Sequence, residues 1–195
     1  MSRAYAALVH HPVLDRDGRT VTSAVTNLDV HDLARSCRTF GLARYFVVTP
    51  IAAQRRIVDQ ILEHWRDGPG ARRVPERGEA LARCVPIASL AAAVDDITAR
   101  EGTAPWLLAT SARPEAGRAT TSYATARERI AREPRPVLLV LGTGHGLAPE
   151  VLAAADDLLA PIDGADGYNH LSVRAACAIT LDRLFGSPPP PALTR

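Results

Sequence analysis

Short apolar runs alternate with stretches in which apolar residues recur at helical spacing, through most of the chain. Residues 4–9 (AYAALV) form the first run, of the length and content expected for a strand buried on both faces. Residues 45–49 form the second, halted by Pro50. Further runs lie at 84–87, 105–110, 136–141 and 157–160. Of these, PVLLVL at 136–141 has the clearest character of an interior parallel strand. Between the runs the period changes. Thr26 or Asn27 can cap a helix whose one face carries Val30, Leu33, Ala34 and Cys37, with Gly41 near its end. Residues 51–66 predict a second helix with Ile57, Ile61, Leu62 and Trp65 as its apolar stripe. Helices are also expected at 79–83, from Ser89 to about Arg100, at 121–132, at 150–155 and at 170–185. Residues 15–20, 67–78 and 161–169 read as loops, and 21–25 as a short extended piece. The end, SPPPPALTR at 187–195, cannot continue a helix and predicts a disordered or extended tail.

This alternation predicts an α/β fold, a parallel sheet covered by helices on both faces, in one domain over residues 1–186. Sites in such sheets lie beyond the carboxyl ends of the strands. Residues 110–113, 142–147 and 161–169 fall at such ends and are polar or glycine-rich.

Composition narrows the chemistry. With 195 residues, 47% hydrophobic and 23% charged, the chain is of globular type. No apolar run is long enough for a membrane span, and the first ten residues lack a signal-peptide pattern. Cys37, Cys84 and Cys177 form no CxxC pair and no Cys/His cluster, so neither a disulfide framework nor a metal site is expected. A reducing cytoplasm fits. All 23 basic residues are arginine against 21 acids, a net charge of +2. The absence of lysine excludes Schiff-base and Walker-lysine chemistry. The arginine count itself says little about nucleic acid, because it parallels the abundance of alanine.

Gly142-Thr143-Gly144-His145-Gly146 follows a strand and precedes a helix, where glycines let backbone N–H groups approach a ligand closely. Gly144 in particular is expected to leave room for that ligand. A dinucleotide fingerprint would need glycine at 147, where Leu147 stands. An ordinary Rossmann methyltransferase opens on such a turn and continues through several strands, whereas one strand follows here.

Three segments in order, LLVLGTGHGL (138–147), LLAPIDG (158–164) and YNHLSVRAACAI (168–179), resemble the cofactor-binding end of the SPOUT methyltransferases. That family binds S-adenosylmethionine in a deep trefoil knot at the carboxyl end of a parallel-sheet α/β/α domain. Near the amino terminus, VHDLARSCRTFGL (30–42) resembles the first motif of the SpoU/TrmH ribose methyltransferases. There an arginine stands five residues before a Phe-Gly pair and acts at the reacting hydroxyl. Arg35 and Phe40-Gly41 hold those places, and His31, Arg35 and Arg38 share a helix face by spacing. The chain departs from the pattern at two points. No Glu stands in the 142–147 loop, with His145 in its middle, and Asp29 replaces the motif's Asn.

The resemblance implies an S-adenosylmethionine-dependent enzyme acting on RNA, a tRNA or rRNA nucleotide, as a homodimer and without a metal. It implies that backbone at Gly142, Gly144, Gly146, Ile162, Tyr168, Asn169 and Leu171 holds the adenosine. Ile162 and Leu171 would sandwich the base, Thr110 and Ser111 approach from the neighbouring strand, and Asn169 and Ser172 donate near the sulfonium. Arg35 would position phosphate or polarise a hydroxyl, since guanidinium stays protonated. His145 and Asp163 are the leading candidates for a base, with Asp166 and His170 behind them. His10 and His11 end the first strand and would line the same cleft or sit as ordinary loop histidines. The final helix carries Val173, Ala176, Cys177, Ile179 and Leu184, apolar surface for a symmetric copy. A peptide or small-molecule substrate, or a non-catalytic nucleotide- or RNA-binding module, are the alternatives.

Overall fold

A computed structural model describes residues 3–113 and 117–187, so most of the predicted Pro-rich tail lies outside the described residues. Side chains of the first strand, β1 (Ala4–Val9), leave the sheet alternately on two sides, and both sides are buried. Ala4, Ala6 and Leu8 enter one core, and Tyr5, Ala7 and Val9 enter the other. A short antiparallel hairpin follows, β2 (Val13–Leu14) with β3 (Thr20–Val21). The two-sided burial recurs in β4 (Arg44–Val48), where Tyr45 and Val47 face the first core and Phe46 and Val48 the second. Strands with no solvent side read as unbroken apolar runs. With β5 (Cys84–Ile87), β6 (Trp106–Thr110), β7 (Val137–Gly142) and β8 (Asp157–Leu159) they form a six-stranded sheet, β5-β4-β1-β7-β6-β8. Every pairing in it is parallel.

The first core is covered by α1 (Asn27–Thr39), α2 (Ala52–Arg66), α4 (Pro75–Leu81), α6 (Tyr123–Arg132) and α8 (Val173–Phe185), with α3 (Pro69–Arg73) beside α2. The second is covered by α5 (Leu90–Glu101) and α7 (Pro149–Ala154). Thr26 caps α1 by accepting from the Asp29 N–H at 3.2 Å, and Ser89 caps α5 by accepting from Ala92 at 3.1 Å. In α1 the expected face Val30, Leu33, Ala34 and Cys37 is fully buried.

Three expectations need correction. In α2, Ile57 is exposed (52%) and the buried stripe starts from Val58, because Val58, Ile61, Leu62 and Trp65 complete one face at i, i+3, i+4, i+7 spacing. Residues 67–78 are not a loop. Pro69 and Pro75 stand in the first turns of α3 and α4, where a missing N–H costs nothing, and the helix expected at 79–83 is the end of α4. The last helix starts at Val173 instead of His170, since the Ser172 hydroxyl accepts from the Ala175 N–H at 3.2 Å and fixes the cap there. Trp106 is fully buried, and Trp65, half-exposed beneath the Arg77 guanidinium, packs against the first core.

Candidate cofactor site

Parallel register brings Val9 opposite Gly142 and Val48, and Thr110 opposite Leu159. The segments following β6, β7 and β8 therefore emerge at one edge, where a cleft of about 670 Å³ opens. Such a volume suits a nucleoside-sized ligand. Its lining includes Thr110, Ser111, Gly142, Gly144, Gly146, Ile162, Asn169, Leu171 and Ser172, together with His145. Three predicted site residues are placed elsewhere. Tyr168 is 70% exposed with its ring edge-on to His170, Asp163 is exposed and outside the lining, and Arg35 lines a second depression.

The glycine loop is seated by the hairpin. Leu14 donates to the Gly146 carbonyl and His145 N–H donates to the Leu14 carbonyl, both at 2.9 Å. Gly144 has φ +60°, and a Cβ there would meet the Leu14 carbonyl at 2.8 Å. Its glycine thus serves the packing of loop on hairpin and not, as expected, free space for the ligand. Gly164 is needed for a different closure: a Cβ would run into the Tyr168 carbonyl as the loop after β8 folds back. Asn169 Nδ2 donates to the Ala112 carbonyl at 2.5 Å, tying that loop to the one after β6. Thr110 donates to Val140 at 3.1 Å and Ser111 to Arg113 at 2.7 Å, so these hydroxyl protons are committed within the wall.

Ser23, Ala24, Asp29 and Thr143 also line the cleft and were not among the predicted site residues. Ser23 Oγ lies 2.5 Å from Thr143 Oγ1, and Thr143 donates to the Val9 carbonyl at 3.1 Å. Behind them His10, fully buried, shares a 2.9 Å hydrogen bond with Ser23 through Nδ1. Burial lowers its pKa to about 4, against the pull of Asp29 and the Ala24 backbone, so the ring is neutral at neutral pH. His11 bonds to Thr22 at 2.9 Å and steadies the hairpin. Asp29 is nearly buried. Thr26 Oγ1 donates to one of its oxygens at 2.6 Å and Arg174 to the other at 3.3 Å. The sequence signal was Thr-x-x-Asp at a helix start, together with its place in the first motif.

The second depression, about 650 Å³, lies between α1, α2 and α4 and is lined by Arg35, His31, Asp32, His64, Trp65 and Arg77 among others. The rings of His31 and Trp65 meet edge-on at 5.6 Å, and Arg77 stacks over Trp65 at 4.8 Å. Burial, then Arg77, lowers the His31 pKa. His31 and Arg35 share this depression, while Arg38 turns to Glu79 at 3.3 Å. Of the final helix's apolar positions, Cys177 and Leu184 are buried within the chain and Val173 and Ala176 line the cleft. Among the described residues no helix is long and apolar enough to cross a membrane.

The cleft fits S-adenosylmethionine in kind. Glycine backbone lines one wall, and Ile162, Leu171 and Val173 offer apolar contact to a base. Comparison with known proteins agrees. A family model for SAM-dependent RNA methyltransferases matches residues 3–186. A tRNA (guanine-N(1)-)-methyltransferase of Nitratidesulfovibrio vulgaris is 50% identical over 182 residues, 93% of this chain and 42% of that protein. The chain thus spans well under half the length of that relative. In structure the chain is similar to a methylase family protein from Neisseria gonorrhoeae, with TM-score 0.65, 17% identity and coverage of 97% and 84%. It is also similar to a TrmH/SpoU tRNA modifying enzyme from A. aeolicus, with TM-score 0.52, 16% identity and coverage of 93% and 72%. The chain belongs to the SAM-dependent RNA methyltransferase family, on the parallel α/β fold of the SpoU/TrmH enzymes.

Proposed function

We propose that the cleft at the carboxyl edge of β6, β7 and β8 holds S-adenosylmethionine and that its methyl group passes to a nucleotide of tRNA. The convergence of the loops after these three strands carries this reading, and the printed activity of the N. vulgaris relative supports tRNA as the polymer. When bound, the cofactor supplies an electrophilic methyl group on a sulfonium. Backbone at Gly142, Gly144, Gly146, Ile162 and Leu171 orients the adenosine, and Ser172 and Asn169 stand toward the sulfonium. Alignment of this kind is worth several kcal/mol, about 7–11 at best. His145 lines the cleft and takes the acceptor's proton. Asp163 is the second candidate for that role.

Arg35 polarises the acceptor or holds its phosphate. Within one chain it lies in the other depression, so the reading includes a homodimer in which a partner's cleft meets Arg35. Exposed Leu28 and Ile57, at 58% and 52%, border that depression and support a second copy there. The reading also takes residues 1–186 as one catalytic domain, the segment from β7 to α8 as a deep trefoil knot, and the cytoplasm as its compartment. Three unpaired cysteines, all buried, suit a reducing medium.

The test is transfer of labelled methyl groups to total tRNA, ribosomal RNA and a peptide pool, followed by nucleoside analysis. Label in a tRNA nucleoside is expected. Label in peptide alone, or cofactor binding with no transfer, contradicts the reading.

A further inference from the structure

Asp29 is the one carboxylate among the described residues that line the cleft. It has a structural role at the start of α1, where it accepts from Thr26 at 2.6 Å and pairs with Arg174 at 3.3 Å. Those bonds use two acceptor sites, and a carboxylate has about four. The charges around it do not cancel. Arg174 also pairs with Asp32 at 3.4 Å, so two acids share one guanidinium and the trio carries a net charge of −1. His10, which feels the charge of Asp29, is neutral and does not offset it. Arg113 is the one guanidinium in the lining, and it belongs to the loop after β6, which Asn169 ties down. A buried acid left with surplus charge and spare lone pairs, facing a cleft, is costly without a cationic partner.

S-adenosylmethionine and its demethylated product both carry an α-ammonium, which offers three N–H donors, whereas a sulfonium offers none. We infer that Asp29 is the counter-charge that receives the ammonium of the cofactor's methionine end, with Thr26 as its positioning residue. This rests on the cleft being the cofactor site.

Three ligands separate the possibilities. S-adenosylmethionine has both cations, S-adenosylhomocysteine has the ammonium alone, and methylthioadenosine has neither. By calorimetry, Asp29→Asn is expected to weaken the first two about tenfold or more, one charged hydrogen bond, while methylthioadenosine changes less than about twofold. Loss confined to S-adenosylmethionine would assign Asp29 to the sulfonium and overturn the ammonium assignment. Equal loss of all three, or of none, would reduce Asp29 to a helix-start residue. Circular dichroism checks folding. If Asp29→Asn does not fold, Arg174→Gln replaces it: with the acid left and its competitor removed, S-adenosylhomocysteine should hold or gain relative to methylthioadenosine. A parallel loss of both ligands in Arg174→Gln contradicts the inference. Failure of the unaltered chain to bind any of the three ligands would overturn the cofactor site itself.

Discussion

The proposed cofactor cleft and the depression around Arg35 are nearly equal in volume, about 670 and 650 Å³, and are built in opposite ways. The cleft is walled largely by turns that follow parallel strands, three glycines of the 142–146 loop among them. Its shape is set by closures such as Gly144 on Leu14 and Gly164 on Tyr168. The depression is walled by helix faces, and ionisable and aromatic side chains on α1, α2 and α4 share its surface with the apolar Leu28, Ile57 and Ile61. A site of the first kind is formed before its ligand arrives. A site of the second kind has its groups in place but needs another surface to close it. The comparison also separates binding from chemistry. The residues proposed to hold the cofactor lie in one region and the arginine proposed to act on the acceptor in the other.

The sharpest break should come from the backbone-built site. Gly144→Val places a branched side chain at positive φ against a carbonyl and should abolish S-adenosylhomocysteine binding. It should also cost about 1–3 kcal/mol of stability from overpacking. Calorimetry and denaturant unfolding read the two effects, and unchanged binding would mean that the hairpin does not seat the loop. Next comes the side-chain-built site. Arg35→Ala should lower turnover about 30- to 1000-fold, or roughly 2–4 kcal/mol, with cofactor affinity nearly intact. Arg35→Lys should not restore turnover, since a point charge cannot replace the planar fork. Full activity in both variants would remove Arg35 from the mechanism.

A smaller effect tests the support behind the cleft. The folded-state pKa of His10, about 4, lies below its ordinary 6.5, so unfolding takes up a proton between those values. Stability from this source is complete above pH 6.5 and is lost as pH falls toward 4, with a slope of up to about 1.4 kcal/mol per pH unit. Denaturation from pH 7 to 4 should show that slope, and His10→Gln should flatten it. An equal slope in both proteins would assign the acid loss elsewhere. The smallest effect is expected at Asp163, which is exposed and outside the lining. Asp163→Asn should change turnover by less than about threefold, against roughly 10²–10⁴-fold for His145→Gln if His145 is the base. The reverse order would exchange their roles.

Much of this was legible in the chain. The strands could be read because burial on both faces leaves only apolar residues, as in 4–9 and 137–141. The cleft could be read from glycines and polar residues at strand ends. Residues 67–78 misled because proline and glycine punctuate loops, yet here Pro69 and Pro75 begin helices and Gly70 fits under Trp65, where a Cβ would meet the ring at 2.8 Å. Ser23 and Asp29 were missed as site residues for another reason. Their partners are far along the chain: 120 residues separate Ser23 from Thr143, and 145 separate Asp29 from Arg174. Local pattern carries no trace of such pairings; the parallel register of β1 with β7 and the packing of α1 on α8 create them.

The division of labour between the two regions is tested most directly by a crystal structure of the chain with S-adenosylhomocysteine. The account predicts the adenosine against residues 142–147 and 162, with Leu171 across from Ile162 and the Arg35 depression free of the ligand. Adenosine seated among Arg35, His64 and Trp65 instead, with the glycine loop untouched, would contradict it.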